Sequence, residues 1–241
     1  PMVTLEDGTS TEAVCTIFET LNRTGVRLTP FDLLAARFWP EDVRLRDLWE
    51  RALEEHPLIA TFDVDPYYVL QAVALFTARQ RPECKRSAVL GMQPSQIAEG
   101  WQRVVEGLAR ALQILRDDCG VVLPDWLPYN PMLIPAAASL ATAVDAKGLD
   151  EGTIRSRFTR WFWCSVFAQT YERSPNTRSA NDYVALRNWF AGGDAPEAVA
   201  DFSFKPESLR ETTARQRAVY RGCIALILRN GSRDFHTTAP M

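Results

Sequence analysis

The chain has 241 residues, of which 46% are hydrophobic and 24% charged, and its formal net charge is −3. These values are those of an ordinary soluble globular protein, and the length is sufficient to bury a sizeable core in one large domain or two small ones. No apolar run reaches the roughly 18 residues that a membrane-spanning helix needs, so we expect no membrane partner.

Charge is divided unevenly along the chain. Residues 1–78 contain six basic and 13 acidic residues, whereas residues 153–190 contain six arginines and two acids. Residues 205–233 contain seven basic residues and two acids. A basic second half predicts a surface that can meet a polyanion, although solvated helix faces explain the same pattern.

The chemistry-bearing residues are sparse. Five cysteines include no C-x-x-C pair, which favours a reducing, cytoplasmic location over a disulfide framework. The two histidines, His56 and His236, lie far apart, and neither has a second histidine or a cysteine at ligand spacing. No phosphate-binding loop motif is present. We therefore predict neither catalytic residues nor a metal site in this chain.

Helical signals begin near the N-terminus. Thr9 and Glu12 form a predicted capping box, apolar residues recur at helical spacing over 14–21, and Gly25 can end that helix. The run Thr29-Pro30-Phe31-Asp32 then predicts a second helix with Thr29 as N-cap and Asp32 at its third position, ending near Trp39.

The rest of the chain also has mainly helical periodicity. Further helices are predicted over about 45–53, 66–76, 95–118, 132–145, 152–170, 181–190 and from Pro206 to about Arg229. Residues 81–93, 172–181 and 194–206 are predicted to be loops, and the proline-rich residues 120–131 a connector.

These elements predict an all-α fold, an irregular bundle of about nine or ten helices. The connector could divide it into two packed subdomains, 1–120 and 121–241.

A polar segment follows the aromatic helix 152–170. Arg173, Asn176 and Arg178 carry donors of the kind that bind phosphate oxygens, so we predict contacts to a DNA backbone there. Arg217 and Arg221, which share one face of the last predicted helix, could add to the same positively charged DNA-contacting surface. An ordinary surface loop with a helix cap is the alternative.

Residues Phe18 to Leu33 follow the pattern F-x-x-L-N-x-x-G-x-x-L-x-x-x-D-L. This pattern resembles a motif of the GmrSD-type restriction endonucleases, bacterial anti-phage enzymes that attack modified DNA. Two later stretches are similar to segments of the same family: Arg160 to Arg173, which contains R-W-F-W and Y-x-R, and Tyr220 to Phe235.

The resemblance implies that Asn22, Arg23, Gly25 and Asp32 are a remnant of a nucleotide-associated site. Helix capping explains Asn22, Gly25 and Asp32 without a ligand. The family's D-G-Q-Q-R motif is absent, and its histidine-metal nuclease motif would begin beyond Met241.

The resemblance therefore implies a longer parent protein that uses a nucleoside triphosphate and a divalent metal, neither of them bound in this piece. The partners it implies are DNA and the parent's N- and C-terminal domains. Our hypothesis is a helical, DNA-contacting linker that is inactive alone. The alternatives are a structural scaffold or protein-interaction domain and, as a third class, a self-contained enzyme that uses Asn22 and Asp32.

Overall fold

The structure is a computed structural model that describes residues 28–143, 149–212, 217–231 and 237. Over these residues the backbone forms eleven α-helices and four short 3₁₀ helices, and no strand. The predicted all-α class is confirmed, with slightly more helices than the nine or ten expected. The helix predicted to begin at Thr9 lies outside the described residues.

The helices follow one another with short connections. Those of the first half are α1 (Pro30–Phe38), α2 (Leu45–Glu55), α3 (Pro57–Thr61), α4 (Pro66–Phe76), α5 (Arg86–Leu90) and α6 (Pro94–Cys119). Those of the second half are α7 (Leu133–Ala143), α8 (Glu151–Phe167), α9 (Pro175–Phe190), α10 (Glu197–Ala200) and α11 (Arg217–Arg229).

Helix α7 lies at the centre of the fold. It packs against α4, α6 and α9, and ten of its eleven residues are buried. Its sequence, rich in alanine, suits this position because small side chains let several neighbouring helices approach closely. The close-packed helix predicted over 132–145 is confirmed as far as it is described.

The closest approach to α7 is made by α6 at Gly107. A Cβ atom on Gly107 would lie 2.3 Å from the carbonyl oxygen of Ala137 and 2.8 Å from the amide nitrogen of Ala141. Both are backbone atoms, so no side-chain rotation can relieve such a contact. A glycine is therefore required where these two helices cross.

Local sequence signals set several helix ends as predicted. At the start of α1, Thr29 Oγ1 accepts a hydrogen bond from the Asp32 amide at 3.2 Å, and Asp32 Oδ2 accepts one from the Thr29 amide at 3.1 Å. At the start of α4, the Asp65 side chain accepts from the Tyr67 amide at 2.8 Å. The predicted capping box of α1 is confirmed, and the carboxylate of Asp65 caps α4 in the same way.

Gly120 ends α6 in a left-handed conformation, with φ of 68°. A Cβ atom there would lie 2.2 Å from the carbonyl oxygen of Ala225 in α11. The same glycine thus provides the turn and lets the last helix pack against the end of α6.

Several predictions of loops and short helices were wrong. Helix α5 lies inside the predicted loop 81–93, and α10 lies inside the predicted linker 194–206. Helix α3 was not predicted. The last α-helix was predicted to begin after Pro206, but residues Pro206–Glu211 form a 3₁₀ helix, and α11 is described over Arg217–Arg229. Helices of four or five residues show too little periodicity for sequence patterns to detect.

One cluster of buried apolar side chains runs through the described part of the chain, from Phe31 in α1 to Ala225 in α11. It includes residues on both sides of position 120. The division into 1–120 and 121–241 stays a prediction. Among the described helices, none is long and apolar enough to cross a bilayer.

Replacing Gly107 by valine should lower the free energy of unfolding by about 3 kcal/mol, because the added side chain must push α6 away from the α7 backbone. Urea denaturation followed by circular dichroism measures this change. Gln113→Ala, on the exposed side of the same helix, is the control and should stay within about 0.5 kcal/mol of the wild type. Equal stability of the two variants would contradict the close crossing.

Candidate nucleic-acid interface

The segment predicted to contact DNA is only partly a loop. Residues 172–181 were predicted to be a loop, but α9 already begins at Pro175, so Asn176 and Arg178 lie in its first turns. Proline at the first position of a helix has a preorganised φ angle and needs no hydrogen-bond partner for its nitrogen. The prediction failed because asparagine, serine and threonine are turn residues in most sequence contexts.

A buried carboxylate joins α8 to α9. Asp182 is only 2% exposed, and its Oδ2 accepts hydrogen bonds from Trp161 Nε1 at 3.1 Å and from the Tyr171 hydroxyl at 2.8 Å. Its Oδ1 forms an ion pair with Arg178 Nε at 3.0 Å. The carboxylate therefore links α8, the connection after it and the first turns of α9.

The ionisation of this group follows from its surroundings. Burial raises the pKa of the Asp182 carboxyl above its ordinary value, while the charge of Arg178 and the hydrogen bonds from Tyr171 and Trp161 act in the opposite direction. Burial, and then the charge of Asp182, raises the pKa of the Tyr171 phenol well above its ordinary value. Tyr171 therefore remains a hydrogen-bond donor at neutral pH.

The connection between α8 and α9 is tight and unusual in its backbone. Gln169 and Ser174 have φ angles of 55° and 49°, in the left-handed region, which costs energy for residues other than glycine. Between them Tyr171 points inward to Asp182, while Arg173 is exposed. The buried network thus fixes a short loop that presents Arg173 to solvent.

Two of the predicted DNA-backbone residues point into the protein instead. Asn176 Oδ1 accepts a hydrogen bond from Gln71 Nε2 at 3.1 Å, and its carbonyl accepts one from Cys84 Sγ at 3.3 Å. Arg178 is held by the ion pair with Asp182. Both residues fasten α9 to its neighbours, and a role for either in DNA contact stays a prediction.

The two arginines predicted on the last helix lie in α11. Arg221 donates a hydrogen bond to the carbonyl oxygen of Leu127 at 3.1 Å, which ties α11 to the connector after α6. Arg217 is the first residue of α11, and its side chain lies outside the described part of the structure.

Of the four residues of the nucleotide-associated motif, only Asp32 lies among the described residues. Asn22, Arg23 and Gly25 lie outside the described residues. Asp32 caps α1 and also accepts a hydrogen bond from Arg46 at 3.0 Å. The capping explanation of Asp32 is therefore confirmed, and its assignment to a nucleotide site stays a prediction.

Sequence reasoning missed two exposed arginines and a polar stripe. Arg160 in α8 and Arg187 in α9 are both exposed. Residues 153, 156, 157 and 160 place two hydroxyls and two guanidinium groups on one side of α8, with the spacing i, i+3, i+4, i+7. That spacing is readable from the sequence, but the aromatic residues of the same helix dominated the pattern.

Among the described residues, no group of three or more histidine, cysteine or acidic side chains is arranged so that it could hold a metal ion.

The sequence is similar to that of an archaeal protein. The chain is 28% identical over 241 aligned residues to Uncharacterized protein MJ0686 of Methanocaldococcus jannaschii, a match that covers 93% of this chain and 40% of that protein. This chain thus corresponds to less than half the length of that relative. No family model matches the sequence, and no solved structure matches it.

Tyr171→Phe should lower the free energy of unfolding by about 2 kcal/mol, because it removes a buried hydrogen bond to a charged acceptor. Urea denaturation at pH 7 measures the loss. Tyr220→Phe, the same change at an exposed tyrosine of α11, is the matched control and should leave stability unchanged. If both variants unfold at the same urea concentration as the wild type, Tyr171 does not stabilise the Asp182 network.

Proposed function

We propose that this chain is the helical middle region of a GmrSD-like restriction enzyme that acts on modified or foreign DNA in the cytoplasm. In this proposal it connects a nucleotide-using module to a nuclease module and contributes contacts to the DNA backbone. It has no activity alone, and the parent uses a nucleoside triphosphate and a divalent metal. The three sequence segments that resemble the family support this assignment.

One structural observation carries the DNA-contacting part of the proposal. Helices α8 and α9 and the loop between them, residues 151–190, form what we call the α8–α9 hairpin. Its residues Arg160, Arg173 and Arg187 are exposed, and none of them forms an ion pair among the described residues. The single carboxylate of α9, Asp182, is buried. Of the other acids there, Glu151 is paired with Arg110, and Glu172 is exposed beside Arg173. Three unpaired arginines against one unpaired acid leave the surface net positive, which favours a polyanionic partner.

The chemistry of these groups limits what the contact can do. Exposed arginines bind phosphate oxygens with charge-assisted hydrogen bonds, and such contacts position a duplex without reading its bases. Sensing of a DNA modification would then belong to other parts of the parent. The greater length of the archaeal relative is compatible with such additional parts.

A structural scaffold with no nucleic-acid partner is the second candidate. It is favoured by Asn176, Arg178 and Arg221, because these three predicted DNA ligands have hydrogen-bond or ion-pair partners inside the protein. In a scaffold the remaining exposed arginines only keep the surface hydrated.

Fluorescence anisotropy with a labelled 20-base-pair duplex at two salt concentrations separates the two candidates. If the chain contacts DNA, binding should weaken with salt, and Arg173→Ala should reduce the slope of log K against log salt by about 0.9, the value for one lost phosphate contact. At low salt, the Arg173→Ala variant should also bind the duplex more weakly than the wild type does.

The control is Arg79→Ala, which also removes one positive charge but at an exposed site where Glu99 pairs with the guanidinium. It should bind as the wild type does. Absence of duplex binding at low salt, or equal losses in Arg173→Ala and Arg79→Ala, would favour the scaffold.

A further inference from the structure

An open cleft lies where the N-terminal half of α8 meets the end of α9. Its volume is about 500 Å³, and it is lined by Trp189 and by six residues at the start of α8, namely 150, 152, 153, 156, 157 and 160. This volume lies within the roughly 300–1,000 Å³ of small-molecule sites. We call it the α8 cleft.

Hydrogen-bond donors dominate the α8 side of the cleft. Thr153, Ser156, Arg157 and Arg160 all line it, and their spacing places them along one face of the helix. Ser156 and Arg160 are exposed and have no hydrogen-bond or ion-pair partner in the described part of the chain. The cleft therefore offers two cationic groups and a free hydroxyl to an incoming ligand.

The position of Arg157 is fixed before any ligand arrives. Its guanidinium donates a hydrogen bond to the carbonyl oxygen of Trp189, and it lies 5.5 Å from the centre of the Trp189 ring. A guanidinium held by a carbonyl and an aromatic ring keeps its charge uncompensated and loses little freedom on binding an anion.

Arg155 differs from the two arginines of the cleft because its charge is paired within the protein. Arg155, on another side of α8, forms hydrogen bonds with Asp118 and a longer ion pair with Asp117. Its charge is therefore neutralised within the protein, whereas no carboxylate forms an ion pair with Arg157 or Arg160 among the described residues.

The one carboxylate lining the cleft is Asp150, and it already has partners. It accepts hydrogen bonds from the amide and the hydroxyl of Thr153, at 2.9 and 2.7 Å. Along the helix it is ten residues from Arg160, or about 15 Å at 1.5 Å per residue. Asp150 forms no ion pair with Arg157 or Arg160 among the described residues, so one carboxylate faces two guanidinium groups in the cleft and the net charge there stays positive.

We propose that the α8 cleft is a binding site for a phosphate group, held by the guanidinium groups of Arg157 and Arg160 and the hydroxyl of Ser156. The phosphate belongs either to a free nucleoside phosphate or to the backbone of a nucleic acid. Arginine pairs match the several oxygens of a phosphate with paired hydrogen bonds, and a hydroxyl adds a neutral donor. This inference does not rest on the proposed function, because a free nucleotide would fill the cleft without DNA.

Isothermal titration of the chain tests the site with pyrophosphate, ATP, adenosine, citrate and a 20-base-pair duplex. Arg160→Ala should weaken binding of the phosphate ligands about tenfold, the effect of losing a charge-assisted hydrogen bond. Ser156→Asp should weaken it at least as much, because it places a negative charge between the donors. Both residues are exposed, so both variants should fold, which circular dichroism checks.

Arg79→Ala again provides the control for loss of one charge and should bind every ligand as the wild type does. Arg160-dependent binding of ATP and pyrophosphate, without adenosine, supports the site and identifies a free nucleotide as its ligand. Arg160-dependent binding of the duplex alone supports the site with a nucleic-acid backbone as its ligand. No binding of any phosphate ligand, equal losses in Arg160→Ala and Arg79→Ala, or citrate binding as tight as that of pyrophosphate would overturn the proposal.

Discussion

The backbone contact between α6 and α7 is the constraint on which the rest of the fold depends. Gly107 brings the two helices so close that a single added carbon would meet the carbonyl oxygen of Ala137. Because α7 is buried along almost its whole length, the helices around it are held by small side chains packed at short range. A change in this spacing would move α4 and α9 as well, since both pack on α7.

The α8–α9 hairpin packs against this core on one side and has a positively charged surface on the other. Helix α9 packs on α7, and the side it turns inward includes Asp182, whose carboxylate is satisfied by Trp161, Tyr171 and Arg178. Burying the acid leaves the outside of the hairpin with arginines and few acids. The same network fixes the short loop that exposes Arg173. Stability and surface charge are therefore two consequences of one buried carboxylate.

The hairpin also shows why polar residues are hard to interpret in sequence. Ser179 and Asp182 occupy buried positions of α9, so its inward stripe did not appear apolar and the first turns were predicted to be loop. Asn176 resembles a surface ligand in sequence, yet its partner Gln71 lies 105 residues away. Partners at such separations leave no trace in local periodicity, and only the packed structure identifies them.

The sequence by itself determined the helical class, the main buried stripes and the capped helix ends, because these depend on residues three or four positions apart. The cap of Thr29 and Asp32 and the buried face of α6 both follow from such local spacing. Only the tertiary structure decided which arginines are exposed and which are bound inside. It also formed the α8 cleft, because that site needs Trp189 from one helix to fix Arg157 on another. Burial and ion pairing depend on distances in space between residues far apart in the chain, and these are set when the helices pack.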